Sequence, residues 1–181
     1  MNDKKPEILA AEIVAQSRLF KIEQLHLKFS NQVERYYERM KGNNRGAVMV
    51  VPVLNRDTLL LGREYAAGTH SYELGFPKGL IDPGEEAYEA ANRELQEEIG
   101  YGSRKLTHLM ELSLAPGYFA SKMQIFIAED LYESKLEGDE PEPIELVPWP
   151  MEQWQSLLEQ EDFSESRSVS ALFLAQKYLK L

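Results

Sequence analysis

The chain has 181 residues, 30 acidic against 20 basic, for a net charge of −10, and no cysteine. That length supports one sizeable core with a small appendage, and the missing cysteines exclude disulfides, thiolate zinc sites and cysteine nucleophiles. The acidic balance argues against a nucleic-acid polymer as partner; with no apolar run of about 18 residues and no signal-like start, the expectation is a soluble, cytoplasmic protein with no membrane partner.

The charge is uneven. Residues 1–50 hold nine basic and six acidic side chains, the remainder eleven and twenty-four. Ile8, Leu9, Ile13 and Val14 follow no clear period. Residues 20–29 alternate as a strand, Ser30 and Asn31 turn, and 33–40 return, which predicts a β-hairpin. A lone hairpin is marginal, so this one must pack on its own domain or on a partner. The loop 41–46 separates a 1–44 subdomain from a 45–181 main domain. Residues 47–54 read as a buried strand, in which Pro52 signals an edge or a bulge, and 58–65 return as a second strand. Residues 71–74 lead into the loop Gly75-Phe76-Pro77-Lys78-Gly79. Asp82-Pro83-Gly84-Glu85 reads as a helix entry with Asp82 as cap. Tyr88, Ala91, Leu95 and Ile99 form its apolar stripe, and Gly100 its left-handed stop. Strands are expected over 106–114, 123–128 and 144–147, with an acidic loop over 137–143. Two helical patterns close the chain, one on Met151, Trp154, Leu157 and Leu158, the other on Val169, Leu172, Phe173, Gln176 and Leu179. This order predicts an α/β sandwich with a mixed sheet. His26, His70 and His108 are scattered outside any metal or catalytic motif.

The chemistry concentrates in the helix after Asp82. Glu94 lies i+3 from Glu97 and i+4 from Glu98, and each like-charge pair at such spacing costs a helix about 0.2–0.5 kcal/mol. Arg93 pairs with Glu97 at i+4 and offsets part of this. The Glu94–Glu98 pair lacks a cation, which a divalent ion on hard carboxylate oxygens would supply. Glu runs are otherwise solvated faces, but this one sits between a glycine-bearing loop and a helix stop.

Gly79, Glu85, Arg93-Glu94-Leu95, Glu97-Glu98 and Gly100 together resemble the Nudix box with every fixed position filled; Tyr101, where an aliphatic residue is usual, touches packing alone. The resemblance implies a Nudix-type α/β/α sandwich with a mixed sheet, an N-terminal hairpin subdomain beside it, and hydrolysis of nucleoside diphosphate derivatives at the P–O–P bridge. It implies Mg²⁺ or Mn²⁺, more than one ion per site, held by Glu94 and Glu98, with Glu97 and the Lys78 carbonyl as further ligands. Glu85 is expected to hold the loop to the helix through Arg93. Pro116 and the 138–143 loop resemble the ADP-ribose pyrophosphatase subgroup, with Glu140 as general base and Glu142 as a metal contact. Pro141 and Pro143 are foreign to that loop pattern, and a solvated linker is the other reading of it. By the same resemblance Arg39, Arg63, Tyr118 and Ser121 are substrate-contact candidates, and Phe20, Tyr36 or Tyr118 an adenine platform. The implied substrates are ADP-ribose, NADH and short diadenosine polyphosphates, with AMP released by a homodimer whose N-terminal hairpins cross between subunits. The alternatives are another nucleoside diphosphate derivative, such as a nucleotide sugar, or a non-catalytic binding module; the second is disfavoured because no box carboxylate is missing.

Overall fold

The computed structural model describes residues 4–42 and 45–180; positions 43 and 44, in the loop expected over 41–46, lie outside the described residues. The chain divides into one unit of Met1–Arg45 with Ser113–Ser121 and another of Gly46–Leu112 with Lys122–Leu181.

The first unit carries β1 (Glu7–Gln16), β2 (Lys21–Lys28) and β3 (Glu34–Met40), an antiparallel sheet in that order. The expected hairpin is thus two strands of a three-stranded sheet. The pairing of β1 with β2 shifts between Ile8 and Ala10 and again between Ile13 and Ala15. Each irregularity throws the side-chain alternation onto the other face, which is why the sequence of β1 shows no period of two. β1 is exposed along its whole length, and on β2 only Glu23 and Leu25 are buried.

The second unit is built on β4 (Ala47–Leu54), β5 (Thr58–Ala66), β6 (Ser71–Gly75), β7 (Lys78–Leu80), β8 (Tyr101–Ser113), β9 (Lys122–Glu133) and β10 (Glu145–Pro150). They form a mixed seven-stranded sheet in the order β10-β5-β4-β9-β8, with β6 on β5 and β7 on β4. β4 runs parallel to β9 and antiparallel to β5 and β7. Pro52 is therefore central and buried, on no edge. One side of β4 pairs with β9 from Ala47 to Pro52, while the other passes from β7 and Pro77 at residues 47–50 to β5 at Val53 and Leu54. Pro52 falls in that gap, where a missing N–H costs no ladder bond.

Both faces of the sheet are covered. Val48, Val50, Leu60, Phe126 and Ala128 pack with Ala90, Ala91, Leu95 and Ile99 of the box helix. The alternate residues Met49, Val51, Leu59, Leu61, Ile125 and Ile127 are equally buried on the opposite side. Burial of each Val, Leu or Ile of this kind contributes about 1.5–3 kcal/mol. The final helix α2 (Ser166–Leu179) supplies Ala171, Leu172 and Ala175 to the core. The expected helix on Met151 and Leu157 is a 3₁₀ segment, Met151–Glu159, kinked at Gln153.

Candidate active site

The box helix α1 (Ala87–Glu94) begins later than its sequence suggests. Residues 82–85 form a turn in which the Glu85 N–H donates to the Asp82 carbonyl at 3.0 Å and the Asp82 N–H to the Glu85 carboxylate at 2.9 Å. Asp82 therefore caps nothing. The N-cap is Glu86, whose N–H is taken by the Glu89 carboxylate at 2.9 Å in a capping box. Past Glu94 the helix widens into a π turn, Leu95–Ile99, and ends on Gly100 with φ of 77°, as the stop signal required. Of the stripe, Ala91, Leu95 and Ile99 are buried, while Tyr88 is half exposed with its ring edge-on to Phe126.

Arg93 is the hub of the site. Its guanidinium binds Glu85 at 2.9 and 3.0 Å, Glu94 at 2.7 Å and Glu97 at 2.7 Å, and donates to the Leu80 carbonyl at 2.9 Å. The Arg93 contact holds Glu85 below the usual carboxylate range. The expected Glu85–Arg93 brace is thus present in the geometry.

Strand β7 brings backbone against the acidic cluster. The Lys78 N–H donates to Glu98 Oε1 at 3.2 Å, and the Lys78 ammonium pairs with Glu64 at 2.7 Å. A Cβ on Gly79 would stand 2.0 Å from Glu94 Oε1, so this position admits glycine alone without displacing the carboxylate. Glu94 and Glu98 are each 7% exposed. Burial pushes the Glu98 pKa up to about 8, against the pull of Lys78, with Glu64 and Glu94 adding repulsion. Burial also raises that of Glu94, against the pull of Arg93. Among the described residues no three carboxylate or imidazole groups converge into a ready-made cation cage. Glu94 and Glu97 face Arg93, and Glu64 faces Lys78. The donor chemistry nevertheless fits a hard divalent ion: two desolvated carboxylates with raised pKa values stand beside backbone that approaches them closely.

The acidic loop splits its two candidates. Glu140 folds back over Gly138 and adds repulsion to Glu94. Glu142 is taken by the Tyr72 hydroxyl at 2.5 Å, and lines one cavity with Glu64 and Glu140. Arg63, expected on substrate, binds Glu145 of the neighbouring β10 at 2.7 Å and Asp162, in the loop before α2, at 3.0 Å. In the first unit Arg39 and Lys41 neutralise buried Glu23 at 2.8 and 2.7 Å and hold its carboxyl low. Tyr118 lies open, and its carbonyl accepts from Met40 N–H at 2.9 Å. Ser121 accepts through its carbonyl from Leu114 at 3.5 Å. The histidines are peripheral: His26 on Glu34, His70 on Tyr65, His108 on Gln124. Glu64 and Tyr72 were absent from the sequence candidates, and no local motif marks either.

A model of the NUDIX domain matches residues 43–173, and a model of the NudE-type Nudix hydrolase N-terminal domain matches residues 6–39. The ADP compounds hydrolase NudE of Escherichia coli strain K12 is 60% identical over 177 residues, 98% of this chain and 95% of that protein. An ADP-ribose pyrophosphatase of Bacillus subtilis strain 168 is 30% identical over 138 residues, 75% of this chain and 72% of that one. A crystal structure of an ADP compounds hydrolase superposes with a TM-score of 0.94 at 60% identity, covering 98% of this chain and 95% of that chain.

Proposed function

The chain belongs to the Nudix family and carries the NudE-type N-terminal domain, and from that premise we propose that it hydrolyses the P–O–P bridge of ADP compounds and releases AMP. The observation that carries this is the buried pair Glu94 and Glu98, held against Lys78 and Gly79 and braced through Arg93. ADP-ribose, NADH and short diadenosine polyphosphates are the substrates we assign.

Glu94 and Glu98, with Glu97, Glu142 and the Lys78 carbonyl, would hold Mg²⁺ or Mn²⁺, more than one ion per site. Such ions neutralise the diphosphate and activate the attacking water. Arg93 fixes Glu94 and Glu97 at the end of the helix, so the carboxylates keep their places as substrate arrives. Glu140, whose charge reaches Glu94, is our general base and takes the proton of the attacking water on its carboxylate. Glu142 leaves Tyr72 when it serves as a ligand. Arg39, Tyr118 and Ser121 remain the substrate contacts we assign in the first unit. Arg63, paired with Glu145 and Asp162, would meet substrate only by giving up one of these carboxylates. We assign the first unit a role in homodimerisation as well, supported by exposed Ile13, Val14, Phe20, Tyr36 and Tyr37. No described helix is long and apolar enough to cross a membrane.

The test is AMP release from ADP-ribose, NADH, diadenosine triphosphate and ADP-glucose, with Mg²⁺ or Mn²⁺ and with chelator. Metal-dependent AMP from the first three is expected. Turnover of ADP-glucose alone would favour the nucleotide-sugar reading, in line with the 32% identity over 103 residues to the ADP-sugar pyrophosphatase of Mus musculus. Silence on all four would remove the assignment.

A further inference from the structure

Among the described residues the buried polar or charged side chains are Glu23, Glu94, Glu98 and Ser168. Glu94 and Glu98 make the site, and Glu23 is neutralised in the first unit. Ser168, on the first turn of α2 and 1% exposed, has no part in the box. Its hydroxyl donates to Glu165 Oε2 at 3.1 Å, the oxygen that also takes the Ser168 N–H at 2.9 Å, while Arg167 holds Glu165 Oε1. Serines inside helices commonly bond their own backbone, as Ser170 does on the Ser166 carbonyl at 2.8 Å. Ser168 instead faces out of its helix, and the Phe76 N–H donates to its Oγ at 3.4 Å.

That contact belongs to the loop that delivers Lys78. Leu74 donates its N–H to the Asp162 carbonyl at 2.8 Å, and the Phe76 ring meets Phe163 edge-on at 6.1 Å. On the other side the Pro77 carbonyl accepts from the Val50 N–H at 2.9 Å, and Lys78 pairs with Met49 of β4. Phe76, Pro77 and Lys78 are therefore stretched between two anchors, the start of α2 and β4. With its proton committed to Glu165, the Ser168 hydroxyl has only lone pairs left to offer, and a buried N–H is costly to leave unpaired. The direction of that hydroxyl thus sets where residue 76 can stand. The fit is close: a Cβ on Gly75 would lie 2.9 Å from Ser168 Oγ, yet 4.0 Å from Ser168 Cβ. We infer that Ser168, oriented by Glu165, is a positioning residue for the divalent ion: it fixes Phe76 so that, two residues on, the Lys78 backbone stands against Glu98 with its carbonyl available as a ligand. This rests on the metal-dependent hydrolase reading above.

The experiment follows Tm and AMP release from ADP-ribose against Mg²⁺ concentration in the parent, Ser168→Ala, Gly75→Ala and the double variant. Ser168→Ala removes the acceptor; Gly75→Ala keeps it and pushes the hydroxyl off the Phe76 N–H. Each is expected to raise about tenfold the Mg²⁺ needed for a given rise in Tm and for half-maximal rate. At saturating Mg²⁺, kcat is expected to stay within about threefold of the parent. In the double variant the close oxygen is gone, so Gly75→Ala should add nothing to Ser168→Ala. A merely structural loss lowers Tm equally with and without Mg²⁺ and leaves the Mg²⁺ dependence of the rate in place. That result in Ser168→Ala, or in Gly75→Ala should Ser168→Ala not fold, overturns the positioning role and leaves the hydrolase reading standing; effects that add in the double variant overturn it as well. A parent with no Mg²⁺-induced rise in Tm and no AMP release overturns the hydrolase reading and the positioning role with it.

Discussion

Replacing Glu98 by glutamine separates what its charge does from what its shape does. Burial, offset in part by Lys78, raises this carboxyl from 4.5 to about 8. Between those values the folded chain retains a proton that the unfolded chain has lost. The stability this gives is complete below 4.5 and is lost as pH rises through about 8. At pH 7, ionising the group in place costs about 1.4 kcal/mol, so a cation that needs the carboxylate binds about tenfold more weakly for each pH unit below 8. Glutamine keeps an oxygen for the Lys78 N–H, now at 3.2 Å, and brings no buried charge. Glu98→Gln is therefore expected to melt above the parent at about pH 8.5 without metal, and to lose the Mg²⁺-induced rise in Tm. Its kcat/KM should fall about a hundredfold or more, at or beyond the upper end of losses seen for residues that only support ligands. Thermal melts with Mg²⁺ or chelator from about pH 6 to about pH 8.5, beside AMP release, read all three effects. In the parent the Mg²⁺ shift should grow across that range. A variant that keeps its Mg²⁺ shift and stays within about threefold of parental kcat/KM refutes the ligand role, and a parental shift flat in pH refutes the burial argument.

Gly79→Ala would drive a Cβ to 2.0 Å from Glu94 Oε1; an overpacking cost of about 1–3 kcal/mol and a kcat loss of about a hundredfold from the displaced carboxylate are expected from urea melts and kinetics, and parental values in both would contradict the close approach. Arg93→Lys keeps the charge but loses the fork that reaches Glu85, Glu94, Glu97 and Leu80 at once, so a stability loss of about 2 kcal/mol is expected in urea unfolding. Tyr72→Phe frees Glu142 from its 2.5 Å hydrogen bond and should lower the Mg²⁺ concentration for half-maximal activity about threefold; no change would mean that Glu142 never leaves Tyr72 to bind metal. Deleting residues 1–44 should leave a monomeric or insoluble protein, and a well-behaved dimer by light scattering would exclude dimerisation through the N-terminal unit.

What could be read from sequence followed the range of the interactions. Glu85, Arg93, Glu94, Glu97 and Glu98 lie within four turns of chain, and the spacing of Arg93 and Glu97 alone foretells their contact. Partners brought together by the tertiary fold left no such trace. Glu64 meets Lys78 across 14 residues, Tyr72 meets Glu142 across 70, and Arg63 meets Asp162 across 99. For Arg63 the strand pattern fixes only that it lies on a strand, while its Glu145 and Asp162 partners depend on what flanks that strand. β1 was missed because two register shifts cancel the alternation that marks a strand. The helix start was set four residues early because Asp82-Pro83-Gly84-Glu85 fits both a capped entry and a tight turn, and the Glu85 carboxylate is claimed by Arg93.

The widened turn at Leu95–Ile99 explains how one short helix end serves both the core and the site. Leu95 and Ile99 stay in the core below it, while Glu98, one residue before Ile99, is also buried and directed at the Lys78 N–H. Gly100 then reverses the backbone and β8 begins at once at Tyr101. Two carboxylates are thereby held in a place where their charge is poorly solvated, and a cation bound there would offset the stability this costs. Linkage makes this measurable, because a ligand bound only by the folded chain at 100 times its Kd stabilises it by about 2.7 kcal/mol. Chelation should therefore lower Tm in the parent and leave Glu98→Gln almost unmoved, a result that would tie the stability of the box to the carboxylate proposed as ligand.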